Sequence, residues 1–268
     1  IGNSAFSYCY SLTNVTIPDG VTSIGEEAFA SCDSLTNVTI GNSVTSIGNS
    51  AFSYCYSLTN VTIPNSVTSI GNEAFYHCYR LTCITIPDSV TSIGESAFER
   101  CNSLTSVTVD SENTMYSNDE YGVLFNKEKT QLIQYPIGNA RTNYIIPDSV
   151  MSIGESAFAW CSSLTSVTIP DSVTSIGDWA FYECDSLTSI TIPDSVTSIG
   201  NGAFCYCDRL RSVRIPNSVT LIGYYAFYTL DTFAIMSKTV YYSGSEADWK
   251  AINIGEDAFN NATIRYNS

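Results

Sequence analysis

Apolar residues recur along this chain in a fixed frame of 23 positions. Phe stands at Phe6, Phe29, Phe52, Phe75 and Phe98, and again at Phe158, Phe181, Phe204 and Phe227. An Ile lies five positions before each, from Ile1 and Ile24 to Ile222. Three positions after the Phe come Cys9, Cys32, Cys55, Cys78, Cys101, Cys161, Cys184 and Cys207, with Leu230 in the ninth place. Three further on stand Leu12, Leu35, Leu58, Leu81, Leu104, Leu164, Leu187 and Leu210. One unit reads L-x-x-V-x-I-P-x-S-V-x-x-I-G-x-x-A-F-x-x-C-x-x. The alternation from Val15 to Ile17 predicts a strand with one buried face. Pro18 and Asp19 predict a turn, and Val21 and Ile24 an inward-facing second extended piece. The spacing of Ala28, Phe29 and Cys32 predicts one short helical turn. Near-identical strings at a fixed period predict coils that stack like side chains into ladders. A lone coil buries too few groups to offset the ordering of its backbone, so each needs neighbours.

The period breaks twice. Phe98 and Phe158 are 60 residues apart, one period plus 37. The extra segment, at about 110–146, reads as a β-hairpin: a strand at Tyr121-Gly-Val-Leu-Phe, a turn at Asn126-Lys-Glu-Lys, and a strand from Thr130 to Tyr135. At the other end, Val240 to Gly244 reads as a strand. Ser245 stands three before Asp248, a capping box for a helix from Glu246 to about Ile252. Ile254, Ala258 and Phe259 echo the unit, and Ala262 to Tyr266 reads as a last strand. The expected organisation is a solenoid over 1–238 and a cap over 239–268, continuous with it as one domain. Ile1 already lies inside a unit, so the first coil is expected to be incomplete, with an exposed core edge able to pair with a second copy.

Composition narrows the function. Apolar residues make up 44% of the chain, enough for a core, yet no run of 18 apolar residues exists and membrane insertion is not expected. Acidic residues number 26 against 11 basic ones, a net charge of −15 that repels nucleic-acid backbones and anionic lipid surfaces. Eight of the ten cysteines share one slot and are expected to be buried free thiols, because side chains in a ladder point the same way. Cys83 and Cys205 fall on other faces and are expected to be exposed. His77 is the single histidine, and His77, Cys78 and Cys83 fit no zinc spacing. No base is available for a Ser or Cys nucleophile, no acidic pair is singled out, and no glycine-rich phosphate loop appears. No catalytic residue, metal or cofactor is therefore expected. Asp148, Asp171 and Asp194 recur in one turn slot; they read as solvent-facing turn caps, with calcium binding as the alternative. The N-x-T sequences at Asn14, Asn37, Asn60 and Asn261 follow from repetition of the unit. The outward Thr rows read as strand formers rather than a surface that orders water.

The slots flanking Phe and Cys vary from unit to unit and collect Tyr, Trp, His and Arg, Tyr56, Tyr224, Tyr225 and Tyr228 among them. Such residues anchor protein contacts. The candidate binding surface is Tyr54, Tyr76, His77, Tyr79, Arg100, Trp160, Trp179, Tyr182 and Tyr206.

The L-x-x-V-x-I-P and A-F-x-x-C segments resemble the BspA-type (treponemal-type) leucine-rich repeats over nearly the whole chain. The resemblance implies a curved, right-handed, β-rich α/β-type repeat solenoid of about ten coils with short helical turns. It also implies a secreted or surface-anchored bacterial protein, non-enzymatic, that adheres to a protein or glycan of a host or neighbouring cell. Two alternatives stay open: a structural spacer that displays other modules, and a hydrolase-type enzyme.

Overall fold

The computed structural model describes residues 1–229, 238–260 and 262–267; Leu230 and the N-x-T site at Asn261 lie outside them. The chain forms a β-solenoid of about 11 turns with almost no helix. It divides into two compact units, one of Ile1–Glu128 with Gln134–Asn139, the other of Lys129–Ile133 with Ala140–Ser268.

In the first unit the strands are β1 (Asn14–Ile17), β2 (Ser23–Ile24), β3 (Asn37–Ile40), β4 (Ser46–Ile47), β5 (Asn60–Thr62), β6 (Ser69–Ile70), β7 (Cys83–Ile86), β8 (Ser92–Ile93), β9 (Ser106–Val109), β10 (Tyr116–Asn118) and β11 (Leu124–Asn126). Odd strands β1 to β9 form the main face and β2, β4, β6 and β8 a second, narrower ladder. The register is one repeat: Val15 opposes Val38, and Ile24 opposes Ile47. The second unit repeats this plan. Its main face is β13 (Asn143–Ile145), β15 (Ser166–Thr168), β17 (Ser189–Thr191), β19 (Ser212–Ile215), β21 (Thr239–Tyr242) and β23 (Thr263–Tyr266). Its narrow ladder is β12 (Gln131–Gln134), β14 (Ser152–Ile153), β16 (Ser175–Ile176), β18 (Ser198–Ile199), β20 (Leu221–Ile222) and β22 (Asn253–Ile254).

The A-F-x-x-C segment is not a helical turn. Glu27 and Ser31 adopt positive φ, 53° and 58°, and the same two slots do so coil after coil. Backbone N–H groups then alternate in direction. Those of Ala28, Ala30 and Cys32 close tight turns onto Gly25, Glu27 and Phe29, whereas those of Glu27, Phe29 and Ser31 donate to Asn49, Ala51 and Ser53 of the next coil. A helix would have spent every N–H within the coil. The spacing that predicts a helical turn is equally met by this third hydrogen-bonded ladder, which the solenoid needs to satisfy its backbone.

Side chains stack accordingly. Phenyl rings lie parallel at 5.3 Å between Phe29 and Phe52 and at 5.0 Å between Phe181 and Phe204. The thiols are free, and seven of the eight in the ladder are buried. Cys9, expected to be buried, is exposed because its coil is covered on one side only. Each buried thiol of the ladder has a donor role: Cys55 Sγ donates to the Phe29 carbonyl and Cys207 Sγ to that of Phe181. Burial pushes the Cys78 and Cys101 thiols upward, the latter to about 12, so they stay protonated donors. Coils approach so closely at the I-G step that a Cβ on Gly48 would sit 2.6 Å from the Gly25 carbonyl carbon.

Where the period fails, other residues supply the missing donors. In regular coils the P-x-S-V serine donates to a Val carbonyl one coil back, as Ser89 Oγ does to Val67 at 2.7 Å. The Val90 carbonyl instead receives Asn113 Nδ2, fully buried, which also donates to Pro87 and accepts from Met115 and Tyr116. Both strands expected in the insertion form as neighbours in one sheet, β11 also pairing antiparallel with β10 and β12 in parallel with β14. At the far end buried Lys238 donates to the Phe227 carbonyl at 3.1 Å, the place a thiol takes elsewhere. Helix α1 (Glu246–Ala251) carries the expected capping box at Ser245 and Asp248. It sets Trp249 against Tyr242, Phe259 and Tyr266, over a phenyl stack that runs through Phe227 to Phe259.

Candidate functional site

Two slots per coil lie at positive φ, two residues before and two after the Phe. L-residues with large side chains rarely adopt this conformation, at a cost of about 1–2 kcal/mol each. Here the conformation is imposed by the inter-coil hydrogen bonds, and it leaves the slot side chain at the surface. Tyr54, His77, Arg100, Trp160, Trp179 and Tyr206, six of the nine candidates, occupy these slots. In the second coil the equivalent positions hold Glu27 and Ser31. Tyr76 and Tyr182 follow their Phe directly, and Tyr79 stands four after it.

In the first unit five of these residues meet. His77 is the hub: its ring lies 4.9 Å from Tyr54, 4.2 Å from Tyr76 and 5.1 Å from Tyr79. A 2.6 Å hydrogen bond joins His77 Nδ1 and the Tyr79 hydroxyl. Tyr56 stacks on Tyr79 at 5.1 Å and extends the group. Burial, then the Arg100 guanidinium, depress the His77 imidazole to about 4, so it is neutral at physiological pH. Burial pushes the Tyr76 phenol up to about 12. The group thus presents neutral rings with the Arg100 guanidinium and the Glu99 and Glu73 carboxylates beside them.

In the second unit the hub is Tyr182. Trp160 and Trp179 meet it edge-on at 5.0 and 5.3 Å, and Tyr206 lies 5.6 Å away. Tyr228 continues the chain of contacts to Tyr206 at 5.9 Å and to Tyr225 at 5.5 Å. Trp179 is seated by a glycine. Gly202, at φ +57°, takes a slot that is Ser or Glu in many coils, and a Cβ there would fall 2.1 Å from the Trp179 ring.

A family model for BspA-type leucine-rich repeat regions matches residues 1–121 and 138–265, in 6 copies. The chain belongs to the BspA-type leucine-rich-repeat family. Solved structures agree with this BspA-type fold. A leucine-rich cell surface protein from Faecalibacterium prausnitzii is 34% identical, with a TM-score of 0.65, over 94% of this chain and 85% of that one. A leucine-rich repeat protein from Eubacterium ventriosum is 29% identical, with a TM-score of 0.76, over 91% and 72%. The pneumococcal vaccine antigen PcpA, 23% identical with a TM-score of 0.70 over 94% and 79%, shares the fold. The comparison with curated proteins matched nothing.

Within this BspA-type frame, other sequence expectations meet the structure differently. Cys83 is exposed as expected, but Cys205 is buried, at 3% exposure. The slot after Phe lies over the rim of the core: Ser53 and Ala159 are also covered there, and small side chains sink while large ones such as Tyr182 rise. His77, Cys78 and Cys83 are not assembled, since Cys78 Sγ donates to the Phe52 carbonyl inside the core. Among the described residues no group of three or more His, Cys, Asp or Glu stands close enough to hold a metal. Asp148, Asp171 and Asp194 face solvent, and Asp194 pairs with Arg214 at 3.0 Å. Among the described residues no helix is long and apolar enough to cross a membrane. Tyr56, Tyr225 and Tyr228 complete the clusters without being candidates; the 23-residue step from Tyr56 to Tyr79 was the signal that could have placed them.

Proposed function

We propose that this is a non-enzymatic, secreted or cell-surface repeat protein that adheres to a protein or glycan of a host or neighbouring cell, and that its two aromatic clusters make the contact. The carrying observation is internal to the chain. Slots that hold Ser or Glu in some coils hold Tyr, His, Trp or Arg in others, in a backbone conformation unfavourable to bulky residues, and these gather into two groups. Large rings with few rotatable bonds and a guanidinium are the groups that carry binding energy at interfaces. A right-handed, curved winding belongs to the same reading, since parallel strand crossovers are right-handed in nearly every case. The description of the Faecalibacterium relative as a cell surface protein supports the location.

The test is binding of the folded protein to immobilised host matrix proteins, mucins and glycans. The expected result is saturable binding to at least one of them, reduced tenfold or more when Trp179→Ser and Tyr182→Ser are combined. A fully folded protein with no saturable binding to any of them would leave the spacer reading in its place.

A further inference from the structure

The narrow-ladder face of the second unit carries a groove of about 300 Å³ with a floor of Gly200, Gly223 and Gly255. In five coils the residue two after the I-G isoleucine, an Asn or Asp, serves the backbone. The side-chain oxygens of Asn3, Asn49, Asn72, Asp178 and Asn201 each accept the N–H of the same slot one coil on. Tyr224 takes this slot in the groove and has no amide or carboxylate oxygen to offer Glu256. Tyr224 is 55% exposed. The slot before the isoleucine is Ser in seven coils, from Ser23 to Ser198, and becomes Leu221, 41% exposed, at the same place. Tyr224 and Leu221 thus set an aromatic ring and an aliphatic group at places where other coils carry Asn, Asp or Glu and Ser.

We infer that this groove is a sugar-binding subsite, separate from the aromatic clusters, that takes a neutral pyranose unit of a glycan chain. A pyranose has an apolar C–H face that lies flat on an aromatic ring, and a rim of hydroxyls that donate and accept. Tyr224 and Leu221 supply the platform. Asp178, Asn201, Asn253 and Glu256 line the groove around it. The two carboxylates and the net charge of −15 repel sialic and uronic acids, which makes the ligand uncharged. The volume of about 300 Å³ lies at the lower end of the range for small-molecule sites.

Calorimetric titration with neutral hexaoses of glucose, mannose and N-acetylglucosamine tests this, with sialylated and uronic-acid oligosaccharides as the charged arm. At least one neutral hexaose is expected to bind saturably, and charged ones at least tenfold more weakly. Leu221→Ser with Tyr224→Asn, which restores residues the chain itself uses in these slots, is expected to lower that affinity tenfold or more while the melting temperature holds or rises. Binding to immobilised matrix proteins is read in parallel on the same variant, so failure of the cluster reading stays distinct from failure of this one. No neutral binding, equal or tighter binding of charged sugars, or an affinity indifferent to the Leu221 and Tyr224 substitutions would overturn the assignment. So would Tyr224-dependent capture of extended peptides without sugars.

Discussion

The two aromatic clusters grow from the same slots of the same repeat, yet they are built from different chemistry. The first is centred on a neutral imidazole flanked by tyrosines and one guanidinium. The second is centred on a tyrosine flanked by two indoles, one of them seated on a glycine. Below both lies the same floor, a parallel phenyl stack with a thiol ladder beside it. The comparison separates two roles within a single unit of sequence. Slots whose N–H and side chains hold coil to coil vary little, and the left-handed slots can differ because the ladder hydrogen bonds that recur from coil to coil use their backbone.

The largest test removes the floor under one cluster at a time. Phe75 and Phe181 are fully buried, and Phe75→Ala or Phe181→Ala should each cost about 3–5 kcal/mol of unfolding free energy in chemical denaturation. Phe75→Ala should loosen the His77 group and leave the indole environment of the second cluster native, with Phe181→Ala doing the reverse in tryptophan fluorescence. A smaller break is confined to the second cluster. Gly202→Ala forces Trp179 off its seat and places a Cβ at positive φ, for a cost of about 1–2 kcal/mol. Tryptophan emission should shift to longer wavelength, while the His77 resonances of the first cluster stay in place.

The smallest effect is pH dependence, and it has opposite signs in the two clusters. The folded His77 imidazole sits near 4 against an unfolded value of 6.5, so the unfolded chain takes up the proton first. Its contribution to stability is complete above pH 6.5 and is lost as pH falls towards 4, on the order of 1 kcal/mol after screening of a half-exposed ring. Beside the second cluster, burial pushes the Asp185 and Asp208 carboxyls up from 3.8. Their contribution is complete below 3.8 and is lost as pH rises through the raised values. Urea midpoints from pH 4 to 7 should rise for the native protein more steeply than for His77→Gln. Equal slopes would remove the imidazole from the account.

Much of the fold was legible because the repeat states it many times. Val15 and Ile17 announce the strand, and Ser245 with Asp248 announces the helix cap; both appear where the spacing placed them. What failed did so for definable reasons. Ala28, Phe29 and Cys32 satisfy helical spacing, but a turn with two left-handed residues satisfies it too, and only the demand for inter-coil hydrogen bonds decides between them. Cys205 was misplaced because burial in the slot after Phe depends on side-chain size rather than on position. Asn113 and Lys238 take over donor roles from offsets the period does not contain, so no alignment of units would find them. The candidate residues were legible as variable slots, but their gathering around His77 and Tyr182 was not, because sequence spacing does not show which rings lean together.

The most direct measurement is a reversion of the surface slots alone. Tyr54→Ser, His77→Ser, Trp160→Ser and Tyr206→Ser put into each slot two after the Phe the residue that Ser31 already provides in the second coil. Melting temperature and saturable binding to matrix proteins, mucins and glycans would be read on the same protein. The account predicts a melting temperature unchanged or higher, with binding reduced at least tenfold. Retained binding, or a protein that no longer folds, would contradict the division between constant slots that build and variable slots that bind.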